Sequence, residues 1–143
     1  MRTRDPIVAF VIHCAIALAA CGAGVVVGAW WDDGSFSLFR QSLPVIAIAA
    51  IAGRASGGWL KSRAAAWIWI PSALFLVLLL VAEAGGWTDR TRPPEGVAAY
   101  AWNQFVGPRC GPTECFDAIF GTAPFLGAVA YSLAARFKKT PER

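Results

Sequence analysis

Four apolar blocks, separated by short polar segments, set the pattern of this chain. Residues 7–28 contain one strongly polar side chain, His13. Residues 64–84 contain Ser72 and, at their end, Glu83. Residues 118–137 contain Thr122, Ser132 and a terminal Arg136. A helix needs about 20 mainly apolar residues to cross a bilayer, and these three blocks meet that length. The fourth, residues 36–52, is shorter, carries Arg40 near one end and Pro44 in its first turns, and is purely apolar only over 43–52. The pattern predicts an all-α integral membrane protein: a four-transmembrane-helix bundle with spans at 7–28, 36–52, 64–84 and 118–137, and residues 1–143 as a single membrane domain.

The long connection, residues 85–117, forms the second outer loop. It opens on Gly85-Gly86 and contains Pro93-Pro94, both of which stop helices. Pro94 suits the first position of a new helix. Val97, Ala101 and Phe105, flanked by Ala98, Trp102 and Val106, recur at helical spacing, while Glu95, Ala99, Asn103, Tyr100 and Gln104 fall opposite. This predicts a short amphipathic helix lying in the outer interface.

Composition supports the membrane reading. Of 143 residues, 57% are hydrophobic and 15% charged, against about 25% charged in soluble domains; the mean hydropathy is +0.51. A soluble core of this length has no volume for so many apolar residues. The net charge of +4 becomes informative only when it is placed along the chain. Basic residues collect in cytoplasmic loops. With four spans and both termini inside, nine basic residues are inside (Arg2, Arg4, Arg54, Lys61, Arg63, Arg136, Lys138, Lys139, Arg143) and four outside (Arg40, Arg90, Arg92, Arg109). Omitting the second span inverts this asymmetry to five inside and eight outside. With two acidic residues inside and seven outside, the balance splits into +7 and −3. The expected location is a bacterial inner membrane, with the N- and C-termini cytoplasmic; the Ala/Gly/Arg-rich composition and compact loops point to a bacterial source.

Tryptophan gathers at headgroup level. Trp30 and Trp31 end the first span, Trp87 follows the third, and Trp59, Trp67 and Trp69 bracket the inner loop; Trp102 lies on the interfacial helix. An alternative for the first block is a signal sequence. Leu18-Ala19-Ala20-Cys21-Gly22 has the form of a lipoprotein cleavage box, which would lipidate Cys21 and leave three spans. The chain, however, stays apolar through Val25, Val26, Val27 and Ala29, where lipoproteins turn polar.

Cys110-Gly111-Pro112-Thr113-Glu114-Cys115 places two thiols around a Gly-Pro turn, on the side where disulfides persist. A structural disulfide between Cys110 and Cys115 is expected, fixing how the loop enters the fourth span. The alternative is a membrane thiol/quinone redox protein using this pair. Membrane thiol oxidases are also small four-span bundles but use Cys-x-x-Cys; here four residues intervene and no second outer pair relays electrons. Cys14 and Cys21, seven residues apart on one helix, read as small buried hydrophobes.

Within the bilayer, an ionisable side chain is a functional candidate. His13, Ala17, Ala20, Gly24 and Gly28 advance by three or four residues and share a face. Gly24 and Gly28 form a Gly-x-x-x-Gly run, which lets backbones approach closely. His13 is therefore expected to face the bundle. Pro71 cannot donate to the Trp67 carbonyl, so that carbonyl is expected to be free. A polar cluster of His13 with Ser72 and Tyr131 or Ser132 follows, serving either interhelical packing or a proton or small-substrate site. Glu83 and Arg40 lie at matching outer depth and could pair near water, where such pairs contribute little.

No phosphate-binding loop, dinucleotide fingerprint, His-Glu-x-x-His run or calcium loop occurs, so neither a cofactor nor a metal is expected. Gly57-Gly58 reads as a turn between spans. The leading expectation is a non-enzymatic scaffold or accessory subunit acting through helix–helix contacts. Its partners are the lipid bilayer and a larger membrane protein or second copy, with no nucleic acid. A small transporter or channel built on the His13 cluster is the first alternative, and the Cys110–Cys115 redox protein the second.

Overall fold

The computed structural model describes residues 5–31, 38–58, 60, 62–86, 96–105 and 116–137. Every regular element among them is helical: α1 (Pro6–Trp31), α2 (Leu38–Gly57), α3 (Ser62–Ala65), α4 (Trp69–Ala84), α5 (Val97–Phe105) and α6 (Phe116–Arg136). Two helices are long and apolar enough to cross a membrane. One is α1, with 26 residues, and the other is the 22-residue stretch Arg63–Ala84 that runs through α3 and α4.

Local chemistry sets the ends of these helices. Pro6 occupies the first position of α1, where its missing N–H costs nothing. Asp5 caps that end, its carboxylate accepting the Ile7 N–H at 2.8 Å. Pro71 explains the break between α3 and α4. Its ring crowds the carbonyl four residues back and supplies no N–H to it. The chain answers with tightened three-residue turns: Ala66 N–H donates to the Arg63 carbonyl, Ile68 to Ala65, and Ile70 to Trp67. The Trp67 carbonyl is thus occupied by Ile70 at 3.1 Å, rather than left free as the sequence predicts. At the other end of α4, Gly86 takes a left-handed φ of 67°, which halts the helix.

The centre of the bundle is the α2–α6 pair, the most extensive helix contact in the molecule. Gly53 lies against the Tyr131 backbone and Gly57 against that of Ala135, and Gly127 faces Val45 and Ala49. Positions advance together on both helices, so α2 and α6 run parallel, meeting along rows four residues apart. α1 runs the opposite way, with Gly24 against the Val45 backbone and Cys21 against Gly127. α4 is also antiparallel to α6: Leu76 and Leu79 meet Gly121, and the Arg136 guanidinium reaches the Ala66 carbonyl at 3.3 Å. The core is built from small residues (Ala17, Ala20, Ala49, Ala123, Ala128, Ala135) around Val45, Ile68 and Tyr131.

α4 is peripheral. It packs on α6 and α5, buries only Glu83 and Ala84, and leaves Leu74, Phe75, Val77 and Leu78 exposed. On α5, the side held against the bundle is Tyr100, 2% exposed, while Val97 and Trp102 face outward. Val97, Ala98 and Trp102 of the apolar stripe therefore point away from the protein, and Tyr100, which helical spacing places opposite that stripe, is the buried residue. Outward apolar side chains suit a helix resting in a lipid interface.

Candidate functional site

The buried face of α1 carries Ala9, His13, Ala17, Ala20, Cys21, Gly24 and Gly28. Small residues draw α1 onto α2 and α6 and leave His13 facing inward with no exposed surface. There, His13 Nδ1 lies 2.8 Å from the Tyr131 hydroxyl of α6. The rings meet edge to face, with centroids 5.8 Å apart and planes at 81°. Beyond, the Tyr131 hydroxyl is 2.6 Å from Ser56 Oγ of α2, and Ser56 donates to the Gly53 carbonyl at 3.1 Å.

Proton accounting orders this chain. A hydroxyl supplies one hydrogen. If Ser56 gives its hydrogen to Gly53, Tyr131 must give its own to Ser56, and the Tyr131 oxygen then accepts from His13 Nδ1–H. All three bonds coexist only with the imidazole proton on Nδ1. His13, Ser56 and Tyr131 are each 0–1% exposed, so no face of the three touches a space large enough for water.

The other predicted positions are placed differently. Ser72 sits on the groove side of α4, its hydroxyl donating to the Trp69 carbonyl at 2.9 Å. The serine in the cluster is Ser56, bonded to Tyr131 and lying beyond the predicted end of the second span. The Ser132 hydroxyl is buried without a hydrogen-bond partner among the described residues. Gly53 and Gly57 form a Gly-x-x-x-Gly run on α2 that was readable in the sequence once the helix was carried past Ala52. Gly57 lies within α2, and the turn falls at Gly58.

Trp30 is 91% exposed, and Trp31, Trp67, Trp69 and Trp102 are also exposed. Trp59, Trp87, Cys110 and Cys115 lie outside the described residues, as does the Arg40 side chain. Glu83 is buried. Cys14 and Cys21 are free thiols, and among the described residues no three His, Cys, Asp or Glu side chains gather as metal ligands.

The chain matches no family model, no curated protein and no solved structure. Its geometry alone therefore bears on what it does.

An apolar groove of about 460 Å³ opens between α1 and α4, lined by Cys14, Leu18, Pro71, Phe75 and Ala128 among others. It exists because α1 and α4 do not pack extensively on each other, and α6 forms its floor.

Proposed function

We propose that this chain is a four-span bundle of a bacterial inner membrane, with both termini cytoplasmic, acting as a non-enzymatic scaffold or accessory subunit through helix–helix contacts. The helix directions support it: α1 and α4 run one way and α2 and α6 the other, as alternating crossings require. The charges agree, since Arg54, Arg63 and Arg136 lie at one end of the bundle. Arg54 and Arg136 fall in the last turns of two parallel helices, whose negative dipole ends they offset.

The observation that carries the scaffold reading is the occlusion of His13, Tyr131 and Ser56. A proton or substrate path needs polar groups that line a space, whereas these three are buried in the helix interface. Their hydrogen bonds join α1, α2 and α6, and bonds of this kind contribute about 0.6–2 kcal/mol each in membranes. The outward apolar surface of the peripheral helix α4 is free to meet a partner helix.

Photo-crosslinking in native membranes tests the reading. A photoreactive residue at Leu78, outward on α4, is expected to give a discrete adduct with another membrane protein or a second copy, and one at buried Ala49 none. Proton or solute flux in reconstituted vesicles, abolished by His13→Phe in a folded protein, would overturn it in favour of a transporter.

A further inference from the structure

The inner end of the bundle changes character along its axis. Arg63 and Arg136, with Ala66 and Trp67, surround one recess of about 340 Å³. Arg63 and Trp67 also wall an adjoining recess of about 440 Å³ against Pro6, Ile7 and Phe10 of α1. The apolar groove between α1 and α4 begins at the next residues along, Ile68 and Pro71, and continues past Cys14 and Leu18 to Phe75. Trp67 and Pro71 are four residues apart across the tightened turns, about 6–8 Å along the axis. Over that distance the lining passes from two arginines and a tryptophan to apolar and sulfur-bearing residues. The groove's one hydroxyl, on Ser72, is already given to the Trp69 carbonyl.

This is the order of groups along a phospholipid: a charged head, then an interfacial ring of polar atoms, then hydrocarbon. The mouth selects charge. Arg136 donates one N–H to the Ala66 carbonyl, which holds its guanidinium at the recess. A guanidinium has five N–H donors in a fixed fork suited to phosphate. Basic pockets between helices on the cytoplasmic side are where anionic headgroups bind.

We propose that the Arg63–Arg136 recess and the α1–α4 groove together form a site for an anionic phospholipid of the inner leaflet. Its phosphate sits at the two arginines, and one acyl chain lies along Cys14, Leu18 and Phe75. The inference rests on the four-span reading with the termini inside. The lipid fills the gap that α1 and α4 leave above α6, so it completes the bundle on that side.

Lipid retention in nanodiscs tests it, read by native mass spectrometry on the full chain released from discs of mixed phosphatidylglycerol and phosphatidylcholine. The wild type is expected to retain phosphatidylglycerol over phosphatidylcholine by about thirtyfold, the product of two basic residues acting at a membrane surface. The Arg63→Gln/Arg136→Gln variant should lose that preference. Arg54→Gln, a basic residue at the same end but outside the recess, should keep it. Cys14→Phe, which fills the groove, should lower retention of any lipid while leaving helicity by circular dichroism unchanged.

Equal retention of the two lipids, or a preference that survives the double arginine substitution, overturns the site. Alkaline carbonate extraction separates this from failure of the underlying reading. A chain washed from membranes overturns the four-span proposal and the lipid site together. A chain that stays embedded without lipid preference overturns the lipid site alone.

Discussion

His13 Nδ1 and the Tyr131 hydroxyl, 118 positions apart in the chain, meet at 2.8 Å and tie α1 to α6. Tyr131 also meets Ser56, so one hydroxyl joins three helices. Tyr131→Phe keeps the ring and removes both bonds. A double-mutant cycle of His13→Phe and Tyr131→Phe, measured by unfolding in mixed micelles, should show a coupling of about 1 kcal/mol, typical of interhelical hydrogen bonds in membranes. Strictly additive single effects would mean that the pair holds nothing together.

Close backbone approach gives a second prediction, and its sign is diagnostic. In an isolated helix, Gly→Ala stabilises by about 1 kcal/mol. At Gly53 and Gly57 a methyl would overlap the backbones of Tyr131 and Ala135, neither of which can yield without moving α6. Gly53→Ala and Gly57→Ala should therefore destabilise by about 1–3 kcal/mol, the usual cost of overpacking. Gly22, which has nothing within 4 Å of the added position, is the control: Gly22→Ala should be neutral or stabilising. Stabilisation at Gly53 would contradict the α2–α6 register.

These two relationships show what was legible in the sequence and what was not. The inward face of α1 could be read because His13, Ala17, Ala20, Gly24 and Gly28 repeat at helical spacing in an otherwise uniform apolar helix. The helical class follows from block length. Ser56 was hidden by Arg54: a charge at the end of an apolar run reads as the edge of a span. A cation in the last turn of a helix is favourable, and α2 continues through it to Gly57. Depth alone pairs Ser72 with His13. Depth fixes position along the axis but not rotation about it, and the tightened turns before Pro71 reset the rotation of α4. Helical spacing puts Tyr100 opposite the apolar stripe, yet it is the buried residue of α5.

That docking can be tested directly. α5 packs on α4, with Tyr100 buried and Trp102 63% exposed. Tyr100→Ala should release α5 and raise amide exchange across 97–105 by at least tenfold, leaving α1 and α2 protected. Trp102→Ala should leave exchange unchanged and reduce quenching of α5 fluorescence labels by shallow brominated lipids. Loss of protection in Trp102→Ala rather than Tyr100→Ala would mean that the helix is held by lipid and not by the bundle.

The charge distribution makes the last prediction, about sidedness and the cysteines. If the basic ends of α2 and α6 are cytoplasmic, the segment between α5 and α6 lies in an oxidising compartment, where Cys110 and Cys115 would be joined. Cys14 and Cys21 are free thiols within α1. Of four cysteines, two should therefore react with maleimide when the isolated protein is denatured without reductant, and all four after reduction. In intact membranes none should react with a membrane-impermeant maleimide, because Cys14 and Cys21 lie within the apolar length of α1 and a disulfide would consume the other pair. Alkaline phosphatase fused within residues 87–95 should be active and the same enzyme fused after Phe137 inactive. Four reactive thiols without reduction would remove the disulfide, whereas reversed fusion activities would remove the orientation itself.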